Sequence, residues 1–251
     1  MSTTNDRQLP PYNIILRPKN VLTTLFCIIA FLLFANLAGI ILRFYFNHKY
    51  CYGLVPCFDF DTEGNVPTFY SSITLFCAGM LIAFIAASHK KAKGRYWLLW
   101  AGLSVIFLIL ALDEFTQIHE RLEKPMEKLL VSAGLVQSSK ILFYTWVIPY
   151  ILLLFCLGVS YFKFLFKLPR RTMILFIASG VIFVAGAIGF ESLGGLEHKL
   201  YGDDNVVYAL LYTCEELLEM IGIAIFIYAL LSYIGENLTD FSISVRKKTD
   251  K

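Results

Sequence analysis

Long apolar stretches alternate with short polar segments along almost the whole chain. Each stretch has close to the roughly 20 residues that an α-helix needs to cross the hydrocarbon core of a bilayer. The stretches cover residues 21–43, 68–88, 97–118, 141–162, 172–194 and 206–234. The pattern therefore predicts an all-α membrane protein built as a bundle of six transmembrane helices.

The composition of the 251-residue chain supports this class of protein. Hydrophobic residues make up 57% and charged residues 16%, against about 45–50% and about 25% in ordinary globular proteins. A soluble fold could not bury so much apolar surface, and a disordered chain would be far more polar. The net charge of +3 is too small to predict a nucleic-acid partner.

The basic residues predict the orientation, because cytoplasmic loops of membrane proteins are rich in Lys and Arg. Most of them fall in alternate connecting segments and at the two termini: Arg7, Arg17, Lys19, Lys90, Lys91, Lys93, Arg95, Lys163, Lys167, Arg170, Arg171, Arg246, Lys247, Lys248 and Lys251. Both termini are therefore expected in the cytoplasm. We expect a cytoplasmic segment at 1–20, the transmembrane domain at 21–234 and a basic cytoplasmic tail at 235–251.

The segment after the third span has its own pattern. Apolar residues recur at helical spacing between Glu and Lys, including Leu122, Met126 and Leu129. This spacing predicts a short amphipathic helix in the membrane interface, with Pro125 near its first turn.

The first external loop, 44–67, leaves two questions open. Cys51 and Cys57 could form a disulfide in an oxidising compartment or remain free thiols. The polar residues Asp59, Asp61, Glu63 and Asn65 alternate along a turn that contains glycine. The run resembles a calcium-binding loop, but it stops before the closing bidentate Glu.

Acidic residues and histidines gather near the outer ends of three otherwise apolar spans. An acid at the centre of a lipid-facing helix costs about 2.5–3.5 kcal/mol, so these side chains should face the interior of the bundle. At about 1.5 Å per residue, the deeper acids lie at one level, about 22–28 Å from the cytoplasmic ends of their helices. The predicted metal ligands are Asp113, His119, Glu120, Glu191, His198, Glu215 and Glu219.

Spacing within each span predicts which of these residues share a helix face. Asp113 and Glu120 are seven residues apart, as are Glu191 and His198. Residues seven apart on one α-helix lie on the same side, two turns from each other.

The cluster contains almost no basic residues, and Arg43 is the one expected partner. Neighbouring carboxylates repel and must take up protons or a cation. Carboxylates with two histidines are ligands suited to Zn, Fe or Mn, and their number would accommodate two metal ions. Glu114 or Glu216 could then act as a general base in metal-dependent hydrolysis or oxidation of a lipid-like substrate.

Two other classes of function remain open at this point. The protein could be a transporter or channel for protons or divalent cations, for which acids should continue through the bilayer. It could instead be a non-catalytic accessory protein that uses the cluster as a structural polar network.

Three segments, EGNVPTFYSS (63–72), LDEFTQIHE (112–120) and EELLEMIG (215–222), resemble a family of bacterial polytopic membrane proteins with no established activity. The resemblance covers the chain from the first loop to the last helix. It implies a multi-pass protein of the bacterial inner membrane, with the lipid bilayer as its surroundings, and it implies no reaction.

Overall fold

The computed structural model of the protein describes residues 17–134 and 147–238, apart from the side chains of residues 119, 120 and 123. Six helices are long and apolar enough to span a membrane: Pro18–Phe44 (α1), Val66–Lys91 (α3), Trp97–Thr116 (α4), Val147–Leu165 (α6), Arg170–Tyr201 and Val206–Asn237 (α9). The described residues contain no strand. The prediction of an all-helical, six-span membrane protein is confirmed.

The remaining helices are shorter, and the fifth span is a composite. Leu54–Phe58 (α2) lies in the first external loop, and Ile118–Ser132 (α5) follows the third span. The fifth span consists of Arg170–Val184 (α7), a π-helical segment at Ala185–Phe190 and Glu191–Tyr201 (α8). The chain ends at 1–16 and 239–251, and the predicted start of the fourth span at 141–146, lie outside the described residues.

Helix α9 is the centre of the bundle, since it packs against α1, α3 and α7. Its C-terminal half, which the basic residues predict to lie towards the cytoplasm, is surrounded by a cluster of aromatic rings. Phe226 stacks on Phe107 and packs against Phe176, with ring centroids 4.7 and 4.6 Å apart. Trp100 lies 5.2 Å from Tyr233 and 6.0 Å from Phe176. These rings fill the predicted cytoplasmic half of the interior with apolar side chains.

The first external loop folds back onto the outer end of the bundle. The buried Asn36 amide donates to Thr213 Oγ1 at 2.9 Å, and its oxygen accepts from the Phe60 backbone N–H at 3.1 Å. Asn65 caps α3 by accepting from the Thr68 N–H, and its own amide donates to the Asp59 carbonyl. The loop is therefore joined to α1, α3 and α9 by hydrogen bonds.

Two glycines allow α9 to pack directly on the fifth span. A Cβ atom on Gly186 would lie 2.6 Å from the Glu215 carbonyl oxygen. A Cβ on Gly222 would lie 2.9 Å from the Phe183 backbone nitrogen and 3.0 Å from the Ser179 carbonyl oxygen. Small residues at a helix crossing permit this backbone approach inside a membrane.

The structure corrects two predictions about the segment after the third span. Helix α4 ends at Thr116 because Gln117 adopts a left-handed conformation, with φ 58° and ψ 40°. Glu120 therefore belongs to a separate helix, and it does not continue the face that carries Asp113. Pro125 lies inside α5 and not in its first turn.

The glycine crossing predicts that Gly222→Ala destabilises the protein. The added methyl group meets backbone atoms that cannot rotate away, and overpacking of this kind costs about 1–3 kcal/mol. Gly235→Ala is the matched control on the same helix, because a Cβ there meets no atom within 4 Å. Thermal unfolding in detergent, monitored by size-exclusion chromatography, should show a lower Tm for Gly222→Ala only. Equal Tm values for the two variants would contradict the proposed crossing.

Candidate functional site

A cavity of about 420 Å³ lies between α4, α6, the fifth span and α9, in the half of the bundle that is predicted to be the outer one. Its polar lining is dominated by carboxyl groups. The acidic residues that line it are Asp61, Glu63, Asp113, Glu114, Glu191, Glu215, Glu216 and Glu219. Among the residues that the structure describes, no Lys, Arg or His lines this cavity. We call it the acidic cavity.

The crossing of α9 with the fifth span determines where the deepest acids lie. One stretch of α9 carries Glu215, Glu216 and Glu219. This stretch packs against the π-helical segment at Gly186. Glu191 is the first residue after that segment. Glu191 and Glu215 both line the acidic cavity close to this crossing.

Helices α4 and α6 form the opposite wall of the acidic cavity. The Tyr150 hydroxyl donates to Asp113 Oδ2 at 2.8 Å and so joins α6 to α4. Asp113 is buried, with 7% of its surface exposed. Glu114, the next residue, also lines the cavity.

The first external loop supplies the outer rim. The Tyr208 hydroxyl donates to Asp61 Oδ1 at 2.7 Å, which links the loop to the start of α9. The loss of surrounding water raises the pKa of Asp61, while the hydrogen bond from Tyr208 acts in the opposite direction. Part of the Asp61 side chain still reaches solvent, so the cavity opens to the surface of the protein at this residue.

The expected basic partner does not enter the acidic cavity. Arg43 pairs with Asp204 at 3.3 Å and also donates to the Asp203 carbonyl. Lys49 pairs with the same Asp204 at 2.9 Å, and this hydrogen bond lowers the pKa of Asp204. These cations neutralise the loop before α9, where Asn205 caps the helix by accepting from the Tyr208 N–H.

The structure brings together the deeper acids that the sequence singled out. Asp113, Glu114, Glu191, Glu215, Glu216 and Glu219 all line the acidic cavity. His198 is exposed, lies outside the cavity lining and packs against the Tyr208 ring at 5.4 Å. The side chains of His119 and Glu120 lie outside the described residues.

Two acids of the site, Asp61 and Glu63, were not predicted from the sequence. They belong to the loop whose alternating acids resemble a calcium-binding loop, and nothing in that spacing connects them with the helices. Their contribution depends on the Asn36 and Tyr208 hydrogen bonds, which join residues far apart in the chain.

The acids do not form a ready-made metal site in the described part of the chain. No group of three or more His, Cys, Asp or Glu side chains there is close enough to hold a metal ion. Cys51 and Cys57 are free thiols.

The fold and the cavity define a multi-pass α-helical integral membrane protein with an acidic cavity in one half of its bundle. A family model matches residues 21–234, and the chain belongs to that family, described as "Domain of unknown function (DUF8692)". No curated protein and no solved structure matches the chain.

Repulsion among the cavity acids predicts that Glu216→Gln stabilises the cation-free protein. The amide keeps the shape of the side chain and removes one charge from a crowded set. A gain of about 1 kcal/mol corresponds to an increase of roughly 2–4 °C in Tm for a chain of this size. The gain should be larger at alkaline than at acid pH, because more of the neighbouring carboxylates are then ionised.

Glu236→Gln is the matched control for this measurement. Glu236 lies on the same helix but pairs with Arg171 at the C-terminal end of α9, away from the cavity, so its replacement should not raise Tm. A decrease in Tm for Glu216→Gln, or the same increase in both variants, would refute repulsion as the dominant effect.

Proposed function

We propose that this protein binds a cation in the acidic cavity, from the outer side of the membrane. The observation that carries the proposal is the lining itself, in which eight acidic residues share one cavity without a basic residue among the described side chains. Carboxylates that share a cavity inside a membrane-spanning bundle repel one another, and protons or a bound cation would offset their charge.

The chemistry of the lining favours a cation that prefers oxygen ligands. The polar groups in it are carboxyl groups and Tyr150, Tyr208 and Tyr212 hydroxyls. Among the metals that the sequence suggests, Zn, Fe and Mn, carboxylate oxygens suit Mn²⁺ best. Binding such an ion would require the acids to move closer together or to share it with water molecules.

A metal held there could support the reaction predicted from the sequence, hydrolysis or oxidation of a lipid-like substrate. Glu114 and Glu216 would act as general bases if their carboxylates face a metal-bound water. By resemblance of its motifs to bacterial membrane proteins, the protein would lie in the inner membrane, with the acidic cavity open to the periplasm.

Transport of protons or divalent cations is the second candidate function. The aromatic cluster around Trp100 and Phe226 argues for a site that is open on one side, because it fills the cytoplasmic half of the bundle with apolar rings. A transport cycle would need this cluster to separate.

Mn²⁺ binding to the purified protein tests the proposal. Electron paramagnetic resonance distinguishes free from bound Mn²⁺ and gives a Kd. Glu215→Gln and Glu219→Gln should each weaken binding about tenfold, which corresponds to about 1.4 kcal/mol. Glu236→Gln, with its acid outside the cavity, should bind Mn²⁺ as the wild type does.

A competition titration extends the test to organic cations. In it, a short alkylammonium ion such as ethylammonium is added to the protein with bound Mn²⁺. Displacement of Mn²⁺ by ethylammonium would locate both in the acidic cavity. The proposal would be overturned if neither Mn²⁺ nor ethylammonium showed saturable binding. It would also be overturned if the wild type and the three variants bound Mn²⁺ equally.

A further inference from the structure

A second, apolar groove opens beside the acidic cavity, between α6 and the fifth span. It is lined by Leu154 on α6 and, on the fifth span, by Phe176, Ile177, Gly180, Val181, Val184, Ala185, Ile188 and Gly189. Val181 is 63% exposed, so in a bilayer this groove faces the lipid chains. Its volume is about 650 Å³.

The groove exists because α6 touches the bundle mainly near its two ends. Tyr150 bonds to Asp113 at the outer end, while the Tyr161 hydroxyl donates to the Leu99 carbonyl towards the cytoplasmic end. On the other wall, Gly180 and Gly189 lack side chains, and a Cβ atom on either would meet no atom within 4 Å.

The groove and the acidic cavity share three wall residues, Leu154, Val184 and Ile188. An apolar path from the lipid phase therefore adjoins a chamber lined by carboxylates. The volume of the acidic cavity, about 420 Å³, lies within the range of about 300–1,000 Å³ that is usual for small-molecule sites.

We propose that the two compartments bind one amphiphile, with its ammonium head group in the acidic cavity and its hydrocarbon chain in the groove. The inference rests on the proposed function, because it requires that the cavity binds cations. Charge complementarity selects the head group: the described cavity lining offers carboxylates and no base, which favours an amine and disfavours a phosphate. The aromatic rings of Phe60, Phe183 and Tyr208 in the same lining are surfaces on which an ammonium group can also lie.

If the amphiphile enters from the bilayer, its hydrocarbon chain contributes to the selection of the ligand. A hydrocarbon chain gains little by moving from lipid into the groove, because both are apolar. The head group therefore supplies the affinity, while the groove determines which molecules can place an amine in the cavity without removing their chain from an apolar environment.

Photolabelling in lipid nanodiscs tests the inference. The probe is a long-chain primary alkylamine with a diazirine at the end of its chain, and the reference probe is the alcohol of the same length. Mass spectrometry should locate the amine label on groove residues of α6 and α7, in excess over the alcohol. Added ethylammonium or Mn²⁺ should abolish the labelling by competing for the acidic cavity.

Two glycine variants and one control make the test specific for the groove. Gly180→Leu and Gly189→Leu place a side chain into the open space, so each should abolish the labelling while Mn²⁺ binding persists. Gly158→Leu adds the same side chain on α6, where it also meets no atom within 4 Å and lies outside the groove lining. Labelling of this control should equal that of the wild type.

The outcomes separate this inference from the proposed function. If Mn²⁺ and ethylammonium bind but the long-chain amine labels the groove no more than the alcohol does, the inference is wrong and the cation site stands. Equal labelling of the glycine variants and Gly158→Leu also overturns it. If no cation binds, both proposals fall.

Discussion

Repulsion among carboxylates in one cavity is the constraint on which the rest of the structure depends. Eight acidic residues line a space of about 420 Å³ inside a membrane-spanning bundle, where each charge is expensive unless it is paired. Arg43 and Lys49 are bound to Asp204, which does not line the cavity. The proposed function follows from this arrangement, since protons or a bound cation would offset the charge of the cavity acids.

The backbone packing that brings these acids together is specific. Gly186 and Gly222 allow α9 to lie against the π-helical segment and α7. A π-helical turn within a helix is often found at functional sites, and here Glu191 follows it directly. The aromatic rings around Trp100 and Phe226 pack against the C-terminal half of α9. Helix α9 thus contributes acidic side chains to one half of the bundle interior and aromatic side chains to the other.

The spans and the deeper acids could be predicted because both follow from local pattern. A 20-residue apolar run has one stable structure in a bilayer, and a carboxylate within it must face inward. The end of α4 could not be predicted, since nothing in the apolar pattern indicates the left-handed conformation of Gln117. Asp61 and Glu63 join the site through tertiary hydrogen bonds to Asn36 and Tyr208, which spacing along the chain does not encode. The groove beside α6 likewise depends on the packing of separate helices.

Proton release on cation binding tests the central claim most directly. In a weakly buffered solution near neutral pH, adding Mn²⁺ to the purified protein should release protons in saturable fashion, because the cation replaces protons held among the cavity carboxylates. A variant that carries both Glu215→Gln and Glu219→Gln should release fewer protons, and Glu236→Gln should release as many as the wild type. The absence of proton release from the wild type, or equal release from all three proteins, would contradict the account.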